Sequence, residues 1–256
     1  MKLTLIQMKI AEDKALNLAR AEALARRAEG SDVIMLPEMF CCPYHNSAFR
    51  ENAEAESGPV TEALSRIARE NGAYVIGGSM PERDGERIYN TCFCFDPRGE
   101  LVAKHRKAHL FDVDIEGGQR FRESKTFSAG TEPTVFDTPF GRFGVVVCFD
   151  NRVPAFIREL KGIDFLAVPA AFNMTTGPLH WELLFRARAV DGQMFAFGCA
   201  PARDENARYV SYANSIAVDP WGRVIARADE GETLLMLDID PAEVRSVRKQ
   251  IPIGNE

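Results

Sequence analysis

The stretch LTLIQMKIAEDKALNLARAEALARRAEGSDVIMLPE (3–38) decides the fold class by its rhythm. LTLIQM (3–8) is a short apolar run of the kind a strand shows when both its faces are buried. DKALNLARAEALARRAEG (13–30) then sets leucine and alanine at helical spacing and stops at a glycine. DVIMLPE (32–38) is a second buried strand. Strand, helix, strand in this order predicts parallel pairing through a right-handed crossover, and therefore an α/β protein.

Outward from there the pattern repeats. GPVTEALSRIARENG (58–72) reads as a helix with Pro59 at its start and Gly72 after its end, and AYVIGGSM (73–80) as a strand. From residue 81 hairpins take over, with RDGER and DPRGE as turns on either side of IYNTCFCF, and with FG between TVFDTP and RFGVVVCF. Helices are expected over 154–161 and 179–193. DFLAVPAAF, FAFGCAPA, SYANSIAVDPWGRVIARA and ETLLMLDID supply further strands. Residues 106–132 show little periodicity, and a long irregular loop in a compact protein is usually functional. No linker interrupts the chain, so residues 1–256 read as one mixed-sheet domain with helices outside.

Thirty-one basic against 37 acidic residues leave a net charge of -6, with no basic stripe of the kind nucleic acid or anionic lipid requires. No apolar run approaches the roughly 20 residues of a membrane span, and MKLTLIQMKI lacks the apolar core of a signal peptide. A cytoplasmic location is expected, with neither nucleic acid nor membrane as partner. Six cysteines are too few for a disulfide scaffold and should be reduced thiols. His105 and His109 lack the intervening pattern of a zinc helix, so no metal site is expected.

In α/β proteins ligands gather beyond the carboxyl ends of strands. Three reactive side chains follow apolar runs there: Glu38 in VIMLPEMF, Lys107 in LVAKHRKAHLF and Cys148 in GVVVCFDNR. Taken singly, Cys148 could be core filling, Glu38 a cap or ion-pair partner, and Lys107 a solvated cation. Together they fit cleavage of a non-peptide carbon–nitrogen bond. A thiol with a pKa of about 8.5 needs a base or a cation before it attacks an amide, and the oxyanion that follows needs donors. Glu38 would be the base. Lys107 and the backbone N–H of Phe149 would be the donors.

These segments, in this order, resemble the nitrilase superfamily of carbon-nitrogen hydrolases, whose members use a Glu-Lys-Cys triad. The resemblance rests on LPEMF, HRKAHLFD and VVVCFDNR, and extends through GPV at 58, GGSMPE at 77, YNTCFCFDPRGELVAKHRK, FSAGTEP and DPWG. It implies a four-layer αββα sandwich, two mixed sheets with helices on the outer faces, pairing as a homodimer and working without a cofactor. It also implies that Glu123, in FRES, is a second glutamate beside the lysine. The residues alone leave a surface salt bridge from Glu123 to Arg120 or Arg122 equally open.

Within the superfamily, AAFNMTTGPLHWELLFRARAVDGQ (170–193) is similar to the ω-amidase branch, which hydrolyses the terminal amide of short 2-oxo acids such as 2-oxoglutaramate. Phe172, Asn173 and Thr175 then become substrate-binding candidates, with Trp181 and Glu182 buttressing them. Core packing for Phe172 and Met174, and a turn built by Asn173, Thr175 and Thr176, is the alternative. Tyr44, Arg152 and the backbone near Thr175 are candidates for the substrate carboxylate, although Arg152 could instead be tied to Asp150. The chain departs from its relatives at Asn151, Val153 and Ala155, and at its end, RKQIPIGNE, where relatives continue into a further strand or tail. The other readings are a different small amide, such as an N-carbamoyl compound, deaminated glutathione or an aliphatic amide, and a binding protein of the same fold without turnover.

Overall fold

The computed structural model describes residues 1–253; the last three residues of the RKQIPIGNE ending, and of the 1–256 domain expectation, lie outside the described residues. The opening stretch forms β1 (Lys2–Gln7), α1 (Lys14–Arg26) and β2 (Val33–Met35), with β1 and β2 parallel. α2 (Asn46–Asn52) and α3 (Pro59–Asn71) follow, then β3 (Tyr74–Ile76), parallel to β2. β4 (Met80–Asp84), β5 (Arg87–Phe95) and β6 (Leu101–Arg106) are the expected hairpins and extend this first sheet. α1 stops at Arg26, short of Gly30. α3 ends as predicted, with Gly72 in the left-handed conformation at φ 60°.

The aperiodic region is not one loop. It contains a small hairpin of β7 (Asp112–Asp114) and β8 (Arg120–Arg122), followed by a 3₁₀ turn at Glu123–Lys125. The second sheet has β9 (Thr134–Thr138), β10 (Gly141–Val145), β11 (Phe165–Pro169), β12 (Phe195–Cys199), β13 (Ile216–Val218) and β14 (Val224–Arg227). Its centre, β10 to β12, is parallel like the centre of the first sheet. The helix expected over 154–161 is a single turn, α4 (Pro154–Ile157), while α5 runs Gly177–Gly192. β15 (Thr233–Asp238) returns to pair antiparallel with β1, and α6 (Ala242–Gln250) closes the described chain.

Period-2 alternation explains the layers. Leu3 and Leu5, Val33 and Met35, and Cys92 and Cys94 face the second sheet and pack with Phe143, Val145, Phe165 and Phe197. Residues on the opposite face of these strands and of β3, Ile6, Ile34, Val75 and Phe93, face outward and are covered by Leu24 of α1 and by Leu64 and Ile67 of α3. Trp181, Phe185 and Ala189 of α5 join the core from the other side. The result is the αββα sandwich. No helix among the described residues is long and apolar enough to cross a membrane.

Candidate active site

Glu38, Lys107 and Cys148 leave three different strands and meet. Glu38 lies three residues past β2, on a segment locked by its neighbour β3–β4: Ser79 Oγ accepts from the Met39 N–H at 3.1 Å, and Ser79 N–H donates to the Pro37 carbonyl. Gly78, at φ 59°, lies so close to that carbonyl that a side chain there would collide with it. Lys107 follows β6 directly, and its N–H donates to the Asn90 carbonyl at 2.8 Å. Its ammonium donates to Glu38 Oε1 at 2.8 Å and lies 2.9 Å from Glu123 Oε2; none of the three side chains is exposed.

Cys148 opens a 3₁₀ turn (Cys148–Arg152) just past β10 with φ 48°, a left-handed backbone that a non-glycine residue holds only under constraint. The constraint is Asp150. Its carboxylate accepts from the N–H groups of Val147, Ala108 and His109 and from the rings of His105 and His109, at 2.7 to 3.1 Å. One buried side chain thereby joins the thiol-bearing turn to the segment that carries Lys107. Burial disfavours the Asp150 charge, yet these donors hold its pKa down at about 2. The two histidines that the sequence set aside as metal ligands are both engaged there.

Glu123 is not a surface residue paired to its arginine neighbours. It is buried and accepts from Phe111 N–H at 2.6 Å, Tyr44 OH at 2.9 Å and Asn90 Nδ2 at 3.2 Å, while Arg120 pairs with Asp114 instead. Glu38 in turn accepts from Asn90 Nδ2 at 2.9 Å and from Ala171 N–H at 2.8 Å. Burial opposes charge on Lys107, but Glu123 and Glu38 outweigh it and keep the ammonium protonated well above the usual lysine range. Burial first, and Glu38 second, push the Cys148 thiol well up, with Lys107 and the Ala171 N–H pulling the other way. The arrangement is a protonated thiol beside a carboxylate and a permanent cation. The Phe149 N–H, next to the thiol, donates no hydrogen bond among the described residues.

The remaining candidates divide. Tyr44 hydroxyl is already committed to Glu123, and its ring stacks on Tyr209 at 4.5 Å. Arg152 is not tied to Asp150: it donates to His180 Nδ1 at 3.0 Å, sits 4.6 Å over the Phe172 ring and has no carboxylate partner among the described residues. Burial lowers its pKa from the free-arginine value, and the nearby Cys148 works against that. Phe172 is buried edge-on against Trp181, whose Nε1 donates to Asn214 carbonyl at 2.7 Å. Trp181 is thus a buttress. Glu182 is not, since it reaches Arg186 and Arg227 on the surface.

Asn173 Oδ1 accepts from the N–H groups of Thr175 and Thr176 and so shapes the turn before α5, while its buried Nδ2 has no partner among the described residues. Met174 is part-exposed rather than core. Two site residues escaped the sequence reading. Asn90 is the hinge between the carboxylates, signalled only by an amide inside an apolar strand. Tyr209 donates to Ala171 carbonyl at 2.5 Å from a segment with no periodicity.

Comparison with known proteins gives the family. Residues 2–249 match the family model described as carbon-nitrogen hydrolase. The omega-amidase NIT2 of Mus musculus is 46% identical over 98% of this chain and 93% of its own. Omega-amidase NIT2-A of Xenopus laevis is 48% identical, covering 100% and 94%. Among solved structures, Saccharomyces cerevisiae Nit3, described as a member of branch 10 of the nitrilase superfamily, superposes with TM-score 0.91 at 37% identity over 99% of this chain and 95% of that one.

Proposed function

The chain belongs to the carbon-nitrogen hydrolase family and is an amidase for a small-molecule amide, and on that premise we propose that it is an ω-amidase, releasing ammonia from the terminal amide of a short 2-oxo acid such as 2-oxoglutaramate. The observation that carries the substrate reading is Arg152, a partly buried guanidinium with no carboxylate partner among the described residues, set between two aromatic rings beside the nucleophile. An acid whose carboxylate rests on Arg152 presents its far end to Cys148. Relatives named omega-amidase support the same reading.

In this mechanism Glu38 takes the thiol proton as sulfur bonds to the amide carbon, because the resting thiol is held protonated. The carbonyl electron pair moves to oxygen, where Lys107 and the Phe149 N–H donate to it. Collapse breaks the carbon–nitrogen bond, and Glu38 returns the proton to the departing ammonia. Glu38 then deprotonates water, hydroxide attacks the thioester, and the acid leaves as Cys148 regains its proton. Lys107 keeps its proton throughout, and Glu123, Tyr44 and Asn90 hold it and Glu38 in register. Phe172, Asn173 and Thr175 line the substrate side. No cofactor takes part.

The described residues form one domain in this reading, working in the cytoplasm as a homodimer. The exposure of Leu179 (74%) and Leu183 (63%), one turn apart on α5, supports the pairing. Ammonia release from 2-oxoglutaramate, an N-carbamoyl amino acid, deaminated glutathione and an aliphatic amide tests the function. The 2-oxo acid amide should lead and Cys148→Ala should abolish its turnover; a different leading substrate overturns the ω-amidase reading.

A further inference from the structure

Two cavities meet at the stacked pair Tyr44 and Tyr209, and they differ in sign. One, of about 290 Å³, is lined by Glu38 itself, Glu12 and Asp204 against one cation, Arg208, which it shares with the other. The other, of about 430 Å³, lies between α2, the β7–β8 hairpin and the segment around residue 208. Five cations line it, Arg50, Arg120, Arg122, Lys125 and Arg208, against one carboxylate, Asp114. That excess stands on a chain whose net charge is -6.

Only Arg120 spends its charge locally, on Asp114. Among the described residues the other four have no salt bridge. They stand on a wall held together by neutral groups: Arg50 donates to Thr126 Oγ1 at 2.8 Å, Thr126 to Asn46 Oδ1 at 2.7 Å, and Asn46 to Arg122 carbonyl at 3.1 Å. Some cations elsewhere on the surface are matched, as where Arg106 meets Glu82 and Asp84; what sets this cavity apart is that four without a salt bridge share one lining. The inner wall of the basic cavity is also the outer wall of the catalytic cluster, since Tyr44 donates to Glu123 and Tyr209 to the carbonyl of Ala171.

We propose that this cavity is an anion vestibule, which concentrates carboxylate-bearing amides at the mouth of the site and favours those with two carboxylates over those with one. It rests on the amidase reading and adds a source of substrate selection distinct from Arg152. A negative substrate approaching by the other cavity meets Glu12, Glu38 and Asp204 against the single cation Arg208, so on balance the two fields act in the same direction. Clefts lined by one sign of charge raise the local concentration and on-rate of the opposite charge by roughly 10 to 1,000-fold at low salt.

The test does not need the natural substrate. Thiolate alkylation at Cys148, in which sulfur displaces iodide, is followed with anionic iodoacetate and neutral iodoacetamide, the site being identified by peptide mass. The iodoacetate-to-iodoacetamide rate ratio reports the field independently of intrinsic thiol reactivity. In wild-type enzyme the ratio should fall roughly tenfold between about 0.01 M and 0.3 M salt. In Arg50→Gln/Arg122→Gln/Lys125→Gln/Arg208→Gln the low-salt ratio should drop to near the high-salt value; Arg122→Gln/Arg208→Gln should give a smaller drop and serves if the fourfold variant does not fold. A salt-independent ratio, or variants equal to wild type at low salt, overturns the vestibule. Failure of 2-oxoglutaramate as substrate with the ratio shift intact would sink the ω-amidase reading and leave the vestibule standing.

Discussion

The Lys107 ammonium sits 2.8 Å from Glu38 with neither side chain exposed, and the same ammonium is shared with Glu123. Two buried carboxylates around one cation are tolerable only while that cation is present. In Lys107→Gln the two buried carboxylates lose their shared cation, and the register of the general base is compromised along with the oxyanion donor. Ammonia release should fall by at least about a thousandfold, and thermal melting should report a loss of about 3–5 kcal/mol. Lys107→Arg should not rescue, since a planar fork cannot replace a compact point charge donating to both acids.

Arg152 tests the substrate. Replacing it with Gln keeps a donor for His180 but removes the charge, and a charge-assisted hydrogen bond is worth about 1.5–3 kcal/mol. For an amide bearing a carboxylate, kcat/KM should drop roughly 10 to 150-fold, with the change mostly in KM. An uncharged aliphatic amide should lose far less. Equal losses on both substrates would mean that Arg152 shapes the turn rather than holding the acid.

How much of this was legible follows from which forces write themselves into local pattern. Burial on two faces makes continuous apolar runs, so β1, β2 and β11 were readable, as were Glu38 and Cys148 just past strand ends and Lys107 directly after one. α2 and α6 were missed because their apolar positions are few, and β7 and β8 because each is three residues long with one apolar residue, Val113 and Phe121, too short to show a period. Asn90 and Tyr209 act through partners 52 and 38 residues away, distances at which sequence spacing carries no signal. Asp150 looked like a partner for its neighbour Arg152. Folding gave it four donors from more than 40 residues away besides the local Val147 N–H, and these outcompete one arginine that an aromatic face already stabilises.

That network sets a pH dependence. The folded pKa of Asp150 is depressed to about 2, so its contribution to stability is fully present above the unfolded value near 3.9 and is lost as pH falls toward 2. His109 has the opposite sign. The Asp150 hydrogen bond raises its pKa against a partial burial, so what it contributes is full below about 6.5 and fades as pH rises through the folded value. Asp150→Asn should flatten both limbs of a stability-versus-pH curve measured by urea denaturation. It should also release the φ 48° backbone of Cys148, slowing iodoacetamide labelling and turnover together. Unchanged limbs would show that the acid limit is set by other carboxylates.

Asn151 offers the reverse experiment, a substitution that should stabilise. Its side chain is fully buried, and among the described residues neither Oδ1 nor Nδ2 has a hydrogen-bond partner, although its backbone carbonyl accepts from Arg188 Nε at 3.0 Å. An unsatisfied buried amide costs about 1–3 kcal/mol, whereas an apolar side chain of similar volume recovers burial at the same place. The backbone contact to Arg188 does not depend on the side chain. Asn151→Leu is therefore expected to raise stability by about 1–2 kcal/mol, seen as a higher urea midpoint at constant slope and a melting temperature raised by about 2–8 °C. A fall of the same size would mean that the amide is bonded in solution, through a bound water, and that its polarity supports the turn on which Cys148 is carried.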